Sequence, residues 1–84
     1  MKRNEAEIIT KKVVAILEKE RIARKISKLQ ISNTTGISRT ALTLIVDNKN
    51  SPTLRSLLMI SSAIGVNIVD IIKQAQNINS NESK

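Results

Sequence analysis

Four side chains between residues 39 and 44 have the types and spacing needed to read the edges of base pairs. If this segment is a helix with about 100° between successive residues, Arg39, Thr40, Thr43 and Leu44 fall within an arc of about 140°. A guanidinium can donate two hydrogen bonds to guanine, hydroxyl groups can bond base edges or phosphates, and a leucine can contact a thymine methyl group. The segment predicts a surface that reads double-stranded DNA, with a solvated Arg39 and a Leu44 packed on a partner chain as alternatives.

The opposite side of the same segment is apolar. Ala41, Leu42 and Ile45 lie together there, at the spacing typical of a helix that packs on a core. Asp47 falls within the polar arc but at its C-terminal end, so we assign it to the turn that follows. The segment therefore predicts a helix with one buried and one exposed face.

Residues flanking this segment are candidates for contacts to the phosphate backbone, which fix the register of a protein on DNA without reading sequence. Lys28 and Lys49 offer ammonium groups, while Ser38, Asn50 and Thr53 are polar residues at or near predicted helix starts, where backbone N–H groups attract anions. We assign these five residues to phosphate contacts. Four other lysines are interpreted as solvated: Lys11, Lys12, Lys19 and Lys73.

The sequence offers little for catalysis or cofactor binding. It has no Cys and no His, and its seven carboxylates are scattered, so zinc, thiol-nucleophile and imidazole-base chemistries lack their residues. A chain of this size buries only about 60% of the surface that its unfolded form exposes, which disfavours a large catalytic cavity. We expect no enzyme, no bound metal and no cofactor.

The charge of the chain is unevenly distributed. Residues 1–49 hold 11 Lys plus Arg against 5 acidic residues, a net +6, while residues 50–84 hold 3 against 2, a net +1. Such a balance favours nucleic acid or an anionic membrane as the partner. Because the chain has no Phe, Tyr or Trp on which single-stranded bases could stack, double-stranded DNA is the better interpretation.

Five segments combine a capping residue with apolar residues at helical spacing. Their starts are Asn4-x-x-Glu7, Ser27-x-x-Gln30, Ser38, Thr53 and Asn67-x-x-Asp70. Gly36 and Gly65 are expected to end the second and fourth helices, and Asn48 to take the left-handed conformation after the third. The predicted helices cover residues 5–23, 28–35, 39–46, 54–64 and 68–75.

The linkers between these helices are short, and no segment reads as a strand. Residues 1–75 are therefore predicted to form one domain, an all-α, compact five-helix bundle. Residues 76–84 are polar and unpatterned, and we expect a flexible tail there. The second and third helices, joined by a turn at Gly36-Ile37-Ser38, have the arrangement of a helix-turn-helix, whose second helix enters the DNA major groove.

An ordered set of residues between 16 and 72 resembles the DNA-binding domain of Cro and cI-type phage repressors and their bacterial relatives, the XRE-like family. The matching residues are Ile16-Leu17-Glu18-Lys19-Glu20-Arg21, Ser27, Ile31, Gly36-Ile37-Ser38-Arg39, Leu42, Ile45, Asn48-Lys49, Pro52-Thr53-Leu54, Leu57-Leu58, Ile60, Ala63 and Gly65-Val66. Four positions depart from the pattern: Lys25 and Asn48 stand where Gly is common, Ser32 where Ala is usual, and Thr35 where a larger aliphatic side chain is usual.

The resemblance implies a lambda-repressor-like domain that binds operators, usually as a dimer, and regulates transcription. It places base contacts at Arg39, Thr40, Thr43 and Leu44, and a phosphate contact at Lys28. Thr35 is expected to make the junction of the second and third helices less apolar.

Some apolar residues fall outside the predicted core stripes and are available for self-association. Val69 lies off the face shared by Ile68, Ile71 and Ile72, and Ile8 and Val14 lie off the stripe of the first helix. We expect a homodimer that uses the fifth helix, with the first helix as the second choice. Its operator would be an imperfect palindrome. No ligand domain is evident, so we expect no small-molecule effector.

Three interpretations from other classes remain open. The same fold can serve as an antitoxin or antirepressor that holds a protein partner, or as a nucleoid protein that binds DNA without reading it. Residues 4–25 could instead form a membrane-surface helix. Charged residues interrupt any apolar signal region near the N-terminus, and no apolar run approaches the roughly 18 residues that span a bilayer. We therefore expect a cytoplasmic protein without a membrane partner.

Overall fold

A computed structural model describes the backbone of residues 1–82 and the side chains of residues 1–77. This part of the chain forms five α-helices and no strand: α1 (Arg3–Ala23), α2 (Lys28–Thr35), α3 (Arg39–Val46), α4 (Leu54–Ile64) and α5 (Ile68–Glu82). The predicted all-α, five-helix fold is confirmed.

The three central helices begin and end where the sequence predicts, because capping residues mark their ends. The Ser27 hydroxyl accepts a hydrogen bond from Gln30 N at 3.1 Å, and Gln30 Oε1 accepts one from Ser27 N at 2.7 Å, which completes a capping box. Ser38 and Thr53 accept from backbone N–H groups in the first turns of α3 and α4. Gly36 (φ 79°) closes α2 in the left-handed conformation.

The two outer helices are longer than predicted. α1 begins at Arg3, so the predicted cap Asn4 lies inside it, and the actual N-cap, Lys2, makes no side-chain capping bond. α5 continues through Glu82, so the predicted helix end at residue 75 is wrong. No Gly or Pro follows Gly65, and each residue added to an existing helix contributes another hydrogen bond. The remaining residues of the predicted tail, 83 and 84, lie outside the described part.

The core is aliphatic and draws on every helix. α1 packs mainly along α5, and α2 packs against α3 and α4. The buried cluster comprises Val13, Leu17, Ile31, Leu42, Ile60, Ile64, Ile68, Ile71 and Ala75. Leu42 is the buried anchor of α3, which fixes the orientation of the exposed face of that helix.

Val14 is buried, only 5% exposed, so its predicted role in self-association is wrong. The prediction assumed that α1 presents one apolar stripe to one neighbour. α1 contacts α3, α4 and α5. Val14 lines both an apolar cavity beneath α3 and a groove beside the loop that joins α3 to α4. A helix with three neighbours buries a wider face than a single stripe.

Among the residues that the structure describes, two non-glycines take the left-handed conformation: Asn48 (φ 59°), as predicted, and Lys25 (φ 58°). Lys25 lies in the turn that follows α1. The turn is held by Ile26 N, which donates to Arg21 O at 3.1 Å, and by the Arg21 guanidinium, which donates to Ile26 O at 2.7 Å. These bonds offset the steric cost of a positive φ at a residue with a Cβ.

Within the described residues, no single helix has both the length and the apolar composition needed to cross a membrane. α4 and the part of α5 up to Asn77 meet those criteria only as a pair, across a break bent by 106°.

Candidate nucleic-acid interface

A short turn, Gly36-Ile37-Ser38, joins α2 to α3 and sets the angle at which α3 leaves the bundle. Thr35 stands at the end of α2: its hydroxyl donates to Ile31 O at 2.8 Å and accepts from Ile37 N at 3.1 Å. The hydroxyl therefore satisfies one backbone carbonyl and one backbone N–H group at the junction. Thr35 makes this junction more polar, as expected, and it also ties the helix end to the turn.

Four residues of α3 line one open concavity on the protein surface, which we call the reading face: Arg39, Thr40, Thr43 and Leu44. Arg39 and Thr40, in the first turn of the helix, are exposed, whereas Thr43 and Leu44 are half-buried. Leu42, on the opposite side, is 6% exposed. The structure thus brings together the four residues proposed from sequence as base contacts and gives them an apolar support.

Lys28, at the first position of α2, reaches across to the reading face. Its side chain is half-buried, and its Nζ donates a hydrogen bond to Thr43 Oγ1 at 3.1 Å. An ammonium group has three donors, so this bond leaves two for another acceptor. The sequence alone predicts separate roles for Lys28 and Thr43 and does not reveal that their side chains contact each other.

The loop after α3 carries the other predicted phosphate contacts. The backbone N–H groups of Lys49 and Asn50 donate to Leu44 O at 2.9 and 3.2 Å, which ties the loop to the reading face. The side chains of Lys49 and Asn50 are exposed. Residues 38–55 carry three basic side chains and one acidic one, Asp47, which caps the C-terminal end of α3.

Two predicted phosphate contacts, Ser38 and Thr53, are helix caps in the structure. Ser38 Oγ accepts from Ala41 N at 3.1 Å, so its own O–H group can still donate. Thr53 Oγ1 accepts from Ser56 N at 3.0 Å and lies 3.2 Å from Ser56 Oγ. Both residues are exposed. Ser38 lies at the N-terminus of α3, the helix that carries the reading face, and Thr53 lies at the N-terminus of α4, directly after the loop.

The described residues contain no group of three or more His, Cys, Asp and Glu side chains that could hold a metal ion. An apolar, partly open cavity of about 40 Å³ lies beneath α3, lined among others by Leu17, Ile31 and Leu42, with Glu18, Arg21 and Lys28 also in its lining. That volume is well below the roughly 150 Å³ of a cavity that accepts benzene. The cavity therefore marks imperfect packing beneath α3.

A comparison with models of protein families gives a match that covers most of the described helices. The model of the Cro/C1-type HTH DNA-binding domain matches residues 16–75, from within α1 to within α5, and includes the helix-turn-helix. Neither a curated protein nor a solved structure matches the chain.

Proposed function

The chain belongs to the Cro/C1-type HTH DNA-binding domain family, a family of DNA-binding regulators, and we propose that it is a sequence-specific transcriptional repressor that reads the major groove with α3. The observation that carries this proposal is the reading face: four side chains able to bond or contact base edges line one open surface of a helix whose other side is buried. The major groove, about 12 Å wide, admits a helix in this way.

Within this proposal the side chains of the reading face have distinct roles. Arg39, in the exposed first turn of α3, donates two hydrogen bonds to a guanine, because the N-terminal residues of a recognition helix reach deepest into the groove. Thr40 and Thr43 bond base edges or phosphates, and Leu44 contacts a thymine methyl group. Phosphates on either side of the reading face are bound by five residues: Lys28, Ser38, Lys49, Asn50 and Thr53.

We further propose that the protein acts as a cytoplasmic homodimer without a small-molecule effector. Val69 on α5 is 54% exposed and Ile8 on α1 is 43% exposed, and each supplies apolar surface that a partner subunit can cover. A single recognition helix covers few base pairs, so two domains with recognition helices about 34 Å apart bind far better. The preferred contact is α5.

Selection from random duplexes, followed by sedimentation equilibrium, tests both proposals. We expect an imperfect palindrome with half-sites about 34 Å apart, and a dimer on that duplex. Val69→Glu should shift the free protein and its complex toward one subunit, because it places a charge in the apolar contact. Gln74→Glu, at an exposed position of the same helix, should not.

A selection that returns no consensus would contradict sequence-specific binding, and would favour a nucleoid protein or a module that binds a protein partner. A chain that stays monomeric with and without DNA and protects one half-site would contradict the dimer.

The Lys28–Thr43 hydrogen bond leads to a second prediction. Lys28→Met keeps the length of the side chain but removes the ammonium group, so it should weaken binding to all duplexes and lower the salt slope by roughly one unit. Because Nζ also holds Thr43 Oγ1, a double-mutant cycle with Thr43→Val on the selected duplex should give a coupling of about 0.5–3 kcal/mol.

Lys49→Met serves as the matched control, because Lys49 has the same charge but an exposed side chain in the loop that follows α3. It should lower the salt slope similarly and show no coupling to Thr43→Val. If the effects of Lys28→Met and Thr43→Val simply add, the two residues act independently on DNA.

A further inference from the structure

A groove of about 480 Å³ runs between the N-terminal half of α1 and the loop that follows α3. Arg3, Glu7 and Lys11 line its α1 wall, and Asn48, Asn50 and Ser51 line its loop wall. All six side chains are exposed. Ala6, Val14 and Pro52 also line the groove, so apolar surface lies between the polar and charged side chains.

The two cations of the α1 wall are spaced to meet a nucleic-acid backbone. Arg3 and Lys11 are eight residues apart on one side of the helix, which corresponds to about 12 Å along its axis. Successive phosphates of one DNA strand are offset by 3.4 Å along the duplex axis, so two cations about 12 Å apart can reach different phosphates of the same strand. Together with Glu7, the wall has a net charge of +1, and Lys49 in the loop adds another positive charge.

The groove is continuous with the proposed DNA surface. Asn50, one of the proposed phosphate contacts, lines the groove, and its backbone N–H is bonded to Leu44 O of the reading face at 3.2 Å. A phosphate strand that passes along the loop therefore next meets Arg3 and Lys11. The region matched by the family begins at residue 16, so the α1 wall up to Val14 lies outside it.

We propose that this groove holds the phosphate backbone of the same DNA duplex, with Arg3 and Lys11 as phosphate contacts that extend the footprint beyond the matched domain. The proposal rests on the proposed function, since it requires a duplex on the reading face. Lys11, interpreted from the sequence as a solvated lysine, becomes a phosphate contact under this proposal. Glu7 opposes the phosphates and limits the affinity.

The test uses the full chain, the selected duplex and a random duplex, with charge-neutral substitutions. Arg3→Gln and Lys11→Gln should each lower the slope of log K against log salt by about 0.9, and the double variant should lower it by about twice that amount, on both duplexes. Glu7→Gln should strengthen binding. Lys19→Gln and Lys73→Gln, at exposed positions outside the groove, should leave the slope unchanged.

Phosphate-ethylation interference locates the contact directly. In the wild-type complex, ethylation of one or two phosphates per half-site beyond those bound by the loop and by Lys28 should block binding, and only this additional interference should vanish in the Arg3→Gln, Lys11→Gln double variant. Thermal unfolding of each variant checks that the fold is retained, which we expect because both side chains are exposed.

The outcomes separate the groove from the proposed function. If Lys49→Gln lowers the slope while the groove variants behave like Lys19→Gln, the groove proposal is overturned and the reading face stands. If no consensus duplex is selected and neither Lys49→Gln nor Arg39→Ala changes binding, the proposed function fails as well.

Discussion

Replacing Arg39 with alanine should weaken binding to the selected duplex by about 1–3 kcal/mol, roughly 5- to 150-fold, and relax the preference at one base position. The physical reason is the loss of two parallel hydrogen bonds from the guanidinium to a guanine. Arg39 stands exposed in the first turn of α3, at the open end of the reading face. Binding titrations on the selected duplex, on variants of it and on random DNA measure the effect.

Arg39→Lys separates the positive charge of Arg39 from its bidentate hydrogen bonding to a base. A lysine keeps the positive charge but cannot form the planar bidentate contact, so it should restore binding to random DNA while the base preference stays relaxed. Equal losses on the selected and the random duplex for Arg39→Ala would show that Arg39 contributes only charge, and Thr40 or Thr43 would then have to carry the specificity.

The fold was predictable wherever the chain contains local stop and start signals. Ser27 with Gln30, Ser38 and Thr53 are capping residues next to the helices they begin, and Gly36 and Gly65 are the left-handed residues that end α2 and α4. The start of α1 and the end of α5 carry no such signals. Their extent depends on helix propagation, which the spacing of apolar residues does not report.

The reading face was predictable for the same reason, because the periodicity of one helix places Arg39, Thr40, Thr43 and Leu44 on one side. Features that depend on how two elements are placed relative to each other could not be predicted from the sequence. Lys28 and Thr43 are 15 residues apart in sequence, and their contact requires the angle between α2 and α3. The groove between α1 and the loop depends likewise on where the start of α1 lies.

Ile31→Ala should lower the free energy of unfolding by about 2–5 kcal/mol, the largest effect expected for any substitution considered. Ile31 is 2% exposed and belongs to the buried cluster that joins α2 to the rest of the bundle. It also lines the existing cavity of about 40 Å³, so truncation enlarges a void instead of creating an isolated one.

The matched control is Leu29→Ala on the same helix, where the side chain is 49% exposed. Both substitutions replace a branched aliphatic residue of the same size with alanine, so the difference between them isolates burial. Urea or thermal unfolding measures it, and in a domain of this size each 1 kcal/mol corresponds to roughly 4–8 °C in Tm.

The destabilisation by Ile31→Val should lie between those of Leu29→Ala and Ile31→Ala, at about 0.5–1.5 kcal/mol. Because Ile31 is buried and is not among the residues that line the reading face, its truncation should reduce DNA binding only through the unfolded fraction. At a temperature where Ile31→Ala is still folded, its base preference should match the wild type. Equal destabilisation by Ile31→Ala and Leu29→Ala would contradict the packing of α2, and with it the support beneath the reading face.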